Sequence, residues 1–322
     1  MRIVKLLLPA IAAIASINLA VAQPNVAASI KPIHSLVSSV MEGVATPLLL
    51  VEAGSPHTYS LKPSQARYLQ EADAVFWVAH DVETFLEKPL ESIPKDTVVV
   101  ELGETKGLVE LSLREGGLFD SHGHDDHDDH KEHDDHEKHD DHAKHDDHGH
   151  GEHDPHFWLD PMNAKVMVRE IQSQLSSIDP VNAAQYESNA KKTEARLDAL
   201  VKEIEGELAG LQGSEFIAFH DAYQYFENRF GVKAIGTVTV SPEVMPGAKR
   251  LKELREKVKS SKATCVFSEP QFEPKVVEVI TDGTGARTGV LDPLGAELKS
   301  GADLYPTLIR RMAKALKDCL SS

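Results

Sequence analysis

The feature that most constrains the fold is a repeated alternation of short apolar runs with helix-like patterns. In the first half of the chain, an apolar run at residues 47–53 precedes a helix-like pattern at 63–72 and a second apolar run at 74–79. Strands that alternate with helices usually pair in parallel, because the helix carries the chain back to the same end of the sheet. This region is therefore predicted to form a parallel α/β unit.

The same alternation returns in the last third of the chain. Strand-like and helix-like patterns follow one another in the order 215–219 (strand), 221–230 (helix), 232–240 (strand), 246–261 (helix) and 264–269 (strand). Two separate sets predict an α/β protein of two lobes, each with a parallel-type sheet flanked by helices.

A long helical pattern, residues 179–212, separates the two sets. Asp179 is a suitable N-cap, and Pro180 fits the first helical turn. A continuous helix of this length would extend about 50 Å. We therefore predict a linking helix that joins an N-terminal lobe, residues 23–178, to a C-terminal lobe, residues 213–322.

The N-terminus has the pattern of a secretory signal peptide over residues 1–22. Arg2 and Lys5 precede an apolar run, and the small-x-small sequence at residues 20–22 predicts cleavage before Gln23. A membrane anchor is the weaker alternative, because no charged stop-transfer flank follows the run. The chain is thus expected to be exported to a Gram-negative periplasm.

A tract rich in histidine and aspartate interrupts the N-terminal lobe at residues 119–154. Residues 120–154 contain twelve Asp, three Glu and three Lys, which account for most of the formal net charge of −17. The tract has no apolar periodicity and is predicted to be disordered. No nucleic-acid partner is expected.

Imidazole and carboxylate at this density indicate multivalent, weak binding of a borderline-soft divalent metal. A solvated polar spacer is the alternative, since such a segment need not bind anything. The candidate low-affinity ligands are the tract's own histidines: His122, His124, His127, His130, His133, His136, His139, His142, His145, His148, His150 and His153.

The chain has two cysteines, Cys265 and Cys319. In an exported protein, such a pair most simply forms a disulfide. The alternative, a pair of zinc thiolates, is disfavoured because the close C-x₂₋₄-C spacing of structural zinc sites is missing.

Three histidines outside the tract occupy similar local contexts. His57 and His220 follow strand-like runs, and His156 directly precedes a helix-like pattern in "DPHFWLDP". Ligands of α/β sheets gather beyond the carboxyl ends of the strands, so these side chains are candidates for one cleft. Asp292, at the end of another β-like run, is a fourth candidate. Three imidazoles with a carboxylate or water suit Zn²⁺.

Three further polar residues have weaker placement. His34 and His80 are interpreted as structural or surface histidines, although His80 also ends a strand-like run. Glu269 in "FSEPQFEP" either lines the cleft, accepts a hydrogen bond from a ligand, or has a structural role only.

Four stretches carry a family resemblance: "GSPHTYSLKPSQARYLQEADAVFWVA", "DPHFWLDPMNA", "FHDAYQYFENRFG" and "LDPLG". Together they resemble the zinc-uptake periplasmic binding proteins, the ZnuA-like branch of the metal-binding cluster of ABC-transporter solute receptors. The resemblance covers essentially the whole chain after the signal. It implies two α/β lobes joined by a long rigid helix, with the metal between them.

Carried over by motif, the resemblance implies His57, His156 and His220 as ligands and Asp292 at the fourth family position. Some zinc-binding members have an acidic residue directly before the first ligand, where this chain has Pro56, so the fourth ligand is Asp292 or water. Manganese-binding relatives typically carry a carboxylate at the position of His220, and imidazole favours zinc.

The resemblance implies a monomeric zinc receptor that delivers Zn²⁺ to an inner-membrane ABC permease and its ATPase subunit. A periplasmic zinc enzyme is the first alternative, because three histidines with an open position also describe a hydrolytic site. It is disfavoured because the sequence has no H-E-x-x-H motif, so the chain is not expected to be an enzyme. A zinc buffer that works through the tract is the second alternative.

Overall fold

The computed structural model describes residues 23–114, 116, 118–119, 153–239, 244–261 and 265–321. Within the first lobe, four strands form a fully parallel sheet in the order β2-β1-β3-β4. The strands are β1 (Val26–Ile30), β2 (Leu48–Val51), β3 (Ala74–Trp77) and β4 (Val98–Glu101), and the helices are α1 (Lys31–Val40), α2 (Pro63–Gln70) and α3 (Glu87–Glu91).

Two antiparallel helices follow, α4 (Pro161–Ile178) and α5 (Ala183–Glu207). Two ion pairs, Lys165 with Asp198 and Arg169 with Glu194, join them. α5 is shorter than the predicted helix 179–212, because residues Pro180–Asn182 form a separate 3-10 turn and the chain turns again after Glu207. At 25 residues, α5 is about 37 Å long.

The second lobe repeats the architecture of the first, with strand order β6-β5-β7-β8 and all strands parallel. Its strands are β5 (Glu215–Ala218), β6 (Lys233–Thr237), β7 (Cys265–Ser268) and β8 (Arg287–Val290). Its helices are α6 (Gln224–Phe230), α7 (Ala248–Ser260), α8 (Lys275–Thr281) and α9 (Leu304–Leu320). The predicted two-lobed α/β fold is confirmed.

α5 contacts elements of both lobes. Near its start, Asn189 Nδ2 donates to the carbonyl of Val40 at the end of α1, 2.9 Å away. Near its end, Glu203 pairs with Arg310 of α9 at 2.8 Å. The helix therefore joins the two lobes by side-chain contacts as well as by chain connectivity.

The two inner strands of each sheet, β1 and β3 in the first and β5 and β7 in the second, are buried on both faces, and the alternation of side chains along a strand assigns them to two clusters. In β1, Val26, Ala28 and Ile30 belong to a central core, whereas Ala27 belongs to an outer cluster. β5 divides in the same way, with Ile217 on the outer side. The central core is one continuous cluster that includes side chains of both lobes and of α4 and α5.

A disulfide joins Cys265 of β7 to Cys319 of α9, as expected. Both residues are buried. The bond fastens the C-terminal helix to the second sheet.

The chain at both ends of the histidine-rich tract contacts the second lobe. The carbonyl of Leu118 accepts from Thr237 N at 3.1 Å, and the Tyr225 hydroxyl donates to the carbonyl of Asp154 at 2.8 Å. His153 pairs weakly with Glu110. The other histidines of the tract and the predicted signal peptide lie outside the described residues.

Within the described ranges, every helix is too short or too polar to cross a bilayer.

Candidate metal centre

His57, His156 and His220 converge between the two sheets. One ring nitrogen from each lies within 4.8 Å of the other two. The ring centroids are 5.3 Å apart for His156 and His220, and 6.2 and 6.5 Å from His57 to these two. The structure thus brings together the three histidines singled out from the sequence.

His57 lies in the loop that follows β2. A 3-10 turn, Pro56–Thr58, carries it, and the Ser55 hydroxyl caps the turn by accepting from His57 N at 3.3 Å. The Tyr59 hydroxyl donates to the carbonyl of Leu50 at 3.0 Å and so ties the loop to the strand. His57 is half-buried and forms the more accessible side of the cluster.

His156 is held by the carboxylate two residues before it. Asp154 Oδ1 accepts from His156 N at 3.0 Å and lies 2.7 Å from His156 Nδ1. Both side chains are buried. The other ring nitrogen, Nε2, is also buried and has no hydrogen-bond partner among the described residues.

His220 comes directly after β5 and is paired with Glu269, which comes directly after the neighbouring strand β7. Glu269 Oε1 lies 2.7 Å from His220 Nδ1 and also accepts from the Tyr223 hydroxyl at 2.9 Å. Burial lowers the pKa of the His220 imidazole, but the charge and hydrogen bond of Glu269 outweigh burial, so the pKa is raised overall.

Two of the three imidazoles therefore share one arrangement. A carboxylate that accepts from Nδ1–H fixes the ring and its tautomer and leaves Nε2 with a free lone pair. Asp154 does this for His156, and Glu269 does it for His220. This is the arrangement in which histidines bind metal ions, and the two carboxylates also place negative charge beside the cluster.

Asp292, the fourth candidate, lies outside the group of three. Its Oδ1 accepts from the backbone N–H groups of Leu294 and Gly295 at 3.1 and 2.9 Å, and its Oδ2 accepts from Ala296 N at 2.6 Å. Gln271 Nε2 donates to Oδ1 as well. Both oxygens of Asp292 therefore hold a turn at the end of β8.

The carboxylate next to His220 in sequence is also engaged. The Arg114 guanidinium contacts both Asp221 and Glu227. Asp221 therefore neutralises a half-buried cation.

The remaining two histidines lie elsewhere. His34 is buried in α1 with Nε2 3.1 Å from the carbonyl of Pro47, and burial lowers its pKa. His80 is half-exposed and pairs with Glu87 at 3.0 Å. Neither belongs to the histidine cluster.

The cluster opens into a narrow cleft between the lobes. Apolar groups form most of its wall, and the polar part comes from the three histidines, Glu269, Ser55 and Gln271; the apolar residues are Pro56, Trp158, Phe272, Pro293 and Leu294. A low-dielectric wall strengthens the attraction between a cation and the carboxylates behind the histidines.

Sequence reasoning missed Asp154 and Tyr223. The signal for Asp154 is its spacing, since an Asp two residues before a histidine can accept from the backbone N–H and the ring together. Tyr223 carries no local signal, because its contact with Glu269 depends on the pairing of β5 with β7.

Comparisons with known proteins identify the family of this chain. Residues 26–319 match the family model described as "ZnuA: Zinc-uptake complex component A periplasmic". The chain is similar to the high-affinity zinc uptake system protein ZnuA of Brucella suis biovar 1 (strain 1330), at 56% identity over 313 residues and 94% of each chain. The ZnuA protein of Yersinia pestis is 36% identical over 93% of this chain and 92% of its own.

Solved structures share the fold. One described as "Crystal structure of 138-173 ZnuA deletion mutant plus zinc bound" aligns with a TM-score of 0.73 and 25% identity over 94% of this chain and 99% of its own. Another, "Crystal structure of ZnuA", aligns with a TM-score of 0.73 and 24% identity over 92% and 99%. The chain therefore belongs to the ZnuA family, the periplasmic components of zinc-uptake complexes.

Proposed function

We propose that this protein is a receptor that binds Zn²⁺ through His57, His156 and His220 and delivers it to an inner-membrane ABC permease and its ATPase subunit. The observation that carries this proposal is the convergence of three imidazoles, two of them oriented by buried carboxylates. Membership of the ZnuA family makes the chain a solute-binding receptor and not an enzyme.

The donor set supports zinc over harder ions. Neutral imidazole suits borderline-soft metals, whereas Mn²⁺ and Mg²⁺ prefer oxygen ligands. Tetrahedral zinc with Zn–N bonds of 2.0–2.1 Å separates its nitrogen ligands by about 3.4 Å. The described nitrogens lie within 4.8 Å of one another, so small side-chain movements would complete the site.

Charge supports a divalent cation as cargo. Asp154 and Glu269 are both buried, and each faces the cluster through a histidine. Two carboxylates behind neutral ligands balance the two positive charges of Zn²⁺ without contacting the ion.

A water molecule is the proposed fourth ligand. Both carboxylate oxygens of Asp292 accept hydrogen bonds from backbone N–H groups. If Asp292 moved to bind the ion, these N–H groups would lose their acceptors. Asp292 is instead proposed to hold the cleft wall.

The remaining predictions belong to the same proposal. Residues 1–22 act as a cleavable signal peptide, the protein works as a monomer in the periplasm, and the tract histidines bind additional zinc weakly. In the proposed domain division, residues 179–212 link the two lobes.

The test is zinc binding by the full chain in competition with a chromophoric chelator. The triple variant His57→Ala/His156→Ala/His220→Ala should lose the tightest site and keep weaker ones. Deletion of residues 121–152 should do the reverse. His80→Ala is the matched control, because it removes a histidine outside the cluster. If the triple variant keeps the tightest site while the deletion abolishes it, the cleft is not the receptor site.

A further inference from the structure

Lys31 is a buried cation at the junction of the two lobes. It is the first residue of α1, and its side chain crosses to the turn that follows β8. Its Nζ donates to three carbonyl oxygens there, at 3.3 Å for Gly295, 2.6 Å for Ala296 and 3.2 Å for Leu298. Only 9% of the residue is exposed.

This placement is electrostatically unfavourable in two respects. A helix N-terminus carries partial positive charge and disfavours a lysine there. Burial of an ammonium group is also costly, and the three recorded acceptors are neutral carbonyls. A neutral side chain at position 31 would avoid both the unfavourable helix-dipole interaction and the burial of a charge. Stability of the first lobe alone therefore does not explain why a lysine occupies this position.

The position of Lys31 in the sheet suggests its role. In doubly wound sheets, ligands bind where the strand order reverses, beyond the carboxyl ends of the strands. In the first sheet this point lies between β1 and β3, and Lys31 directly follows β1. In the second sheet it lies between β5 and β7, where His220 meets Glu269. The point in the second sheet thus carries the candidate ligand His220. The point in the first sheet carries Lys31, whose side chain binds the second lobe.

The turn that Lys31 binds is part of the cleft wall. Asp292 accepts from the turn's N–H groups, while Lys31 donates to its C=O groups, so a negative and a positive charge both hold the turn. The turn carries Pro293 and Leu294 into the cleft, and Trp158 Nε1 donates to the carbonyl of Pro293 at 3.0 Å.

The contact between Lys31 and the turn also connects the strands that lead to His57 and to the partner of His220. Lys31 follows β1, which pairs with β2 in the register Ile30 with Val51, and β2 leads to His57. The turn follows β8, which pairs with β7, and β7 leads to Glu269 behind His220.

We propose that Lys31 is a positioning residue for the metal cleft. By donating to the carbonyls of the 292–298 turn in the second lobe, Lys31 sets the placement of His57 relative to His220. The proposal rests on the proposed function, since it concerns the geometry of the same site.

The test is Lys31→Met in the full chain, which keeps an unbranched stem and removes the donors. Three quantities are measured: zinc affinity by chelator competition, the visible absorption of the complex with one equivalent of Co²⁺, and the melting temperature with and without zinc. Loss of a supporting contact should weaken zinc binding by about tenfold. It should also change the Co²⁺ band and reduce the rise in melting temperature caused by zinc.

The control is Ser39→Ala. Ser39 also lies on α1, and its hydroxyl has two acceptors, the carbonyl of Ser35 at 2.9 Å and that of Ala302 in the second lobe at 3.2 Å, but it is eight residues farther along the helix than Lys31. This variant should lose some stability and keep the zinc affinity and the Co²⁺ spectrum of the wild type.

Unchanged zinc affinity and an unchanged Co²⁺ spectrum in a folded Lys31→Met protein would overturn the proposal and leave Lys31 a structural role. If Lys31→Met does not fold, Lys31→Arg decides, because it keeps the charge but its planar guanidinium cannot converge on the same three carbonyls. Wild-type zinc affinity in Lys31→Arg would also refute the proposed positioning role of Lys31. Absence of tight zinc binding by the wild type refutes the proposed function instead.

Discussion

Replacing Glu269 with glutamine tests how the carboxylate behind His220 contributes to zinc binding. Glu269 is 2% exposed, and its Oε1 holds both His220 Nδ1 at 2.7 Å and the Tyr223 hydroxyl at 2.9 Å. Glutamine has nearly the same shape and retains one acceptor oxygen. Glu269→Gln therefore removes the negative charge while leaving the packing largely unchanged.

The expected loss has two parts. A hydrogen bond to a charged group stabilises by about 1.5–3 kcal/mol, and one between neutral groups by about 0.5–1.5 kcal/mol. Replacing the charged acceptor of the imidazole N–H by a neutral one therefore costs about 1 kcal/mol. The variant also lacks one of the two buried charges that balance the cation. Loss of such a partner lowers metal affinity by about 10- to 100-fold, or about 1.4–2.7 kcal/mol.

The assay is competition for zinc between the protein and a chromophoric chelator, with near-ultraviolet circular dichroism as the check of folding. Tyr223→Phe is the matched control, because it removes the second donor to Glu269 but leaves the carboxylate on His220. We expect this control to lose less than about threefold. Wild-type affinity in a folded Glu269→Gln protein would refute the reasoning, since the charge behind His220 would then contribute nothing to binding.

Three further outcomes are expected. Asp292→Asn should destabilise the protein by about 1–2 kcal/mol in urea unfolding but weaken zinc binding less than tenfold, because its oxygens hold a turn; a larger loss of affinity would contradict a role confined to the turn. Reduction of Cys265–Cys319, whose residues are 54 apart in sequence, should cost about 4 kcal/mol, and an unchanged melting temperature would contradict this. Burial raises the pKa of Glu83 from 4.5 to about 7. Between pH 4.5 and about 7 the native state therefore binds one more proton than the unfolded state, and the free energy of unfolding should fall by up to about 3 kcal/mol as the pH rises across this range. Glu83→Gln should remove that dependence, and an equally steep fall in the variant would contradict it.

The fold was predictable because its signals are local. Each strand-like and helix-like run identified from periodicity corresponds to an element of the same kind, for example 74–79 with β3 (Ala74–Trp77) and 246–261 with α7 (Ala248–Ser260). The ends of α5 were not predicted. Residues Pro180–Asn182 form a separate 3-10 turn before the helix, and the chain turns after Glu207 although the apolar pattern continues to Leu208 and Leu211.

The candidate site was predictable only in part. His57 and His220 could be found because each follows a strand, and the carboxyl ends of parallel strands meet at one edge. The sequence left three roles open for Glu269 and gave none for Lys31, because their partners lie 49 residues or more away and are brought near by strand order. Asp292 has the right residue type and place, but its own turn occupies both its oxygens.

The continuous central core has a consequence for chimeric proteins. Side chains from both lobes and from α4 and α5 share one apolar cluster, so neither lobe has an interior of its own on that side. A hybrid that exchanged one lobe with a relative would place foreign side chains against a close-packed surface and create cavities or clashes there. Exchange of ligand loops would leave this shared cluster intact, so we expect it to disturb folding less than exchange of a whole lobe.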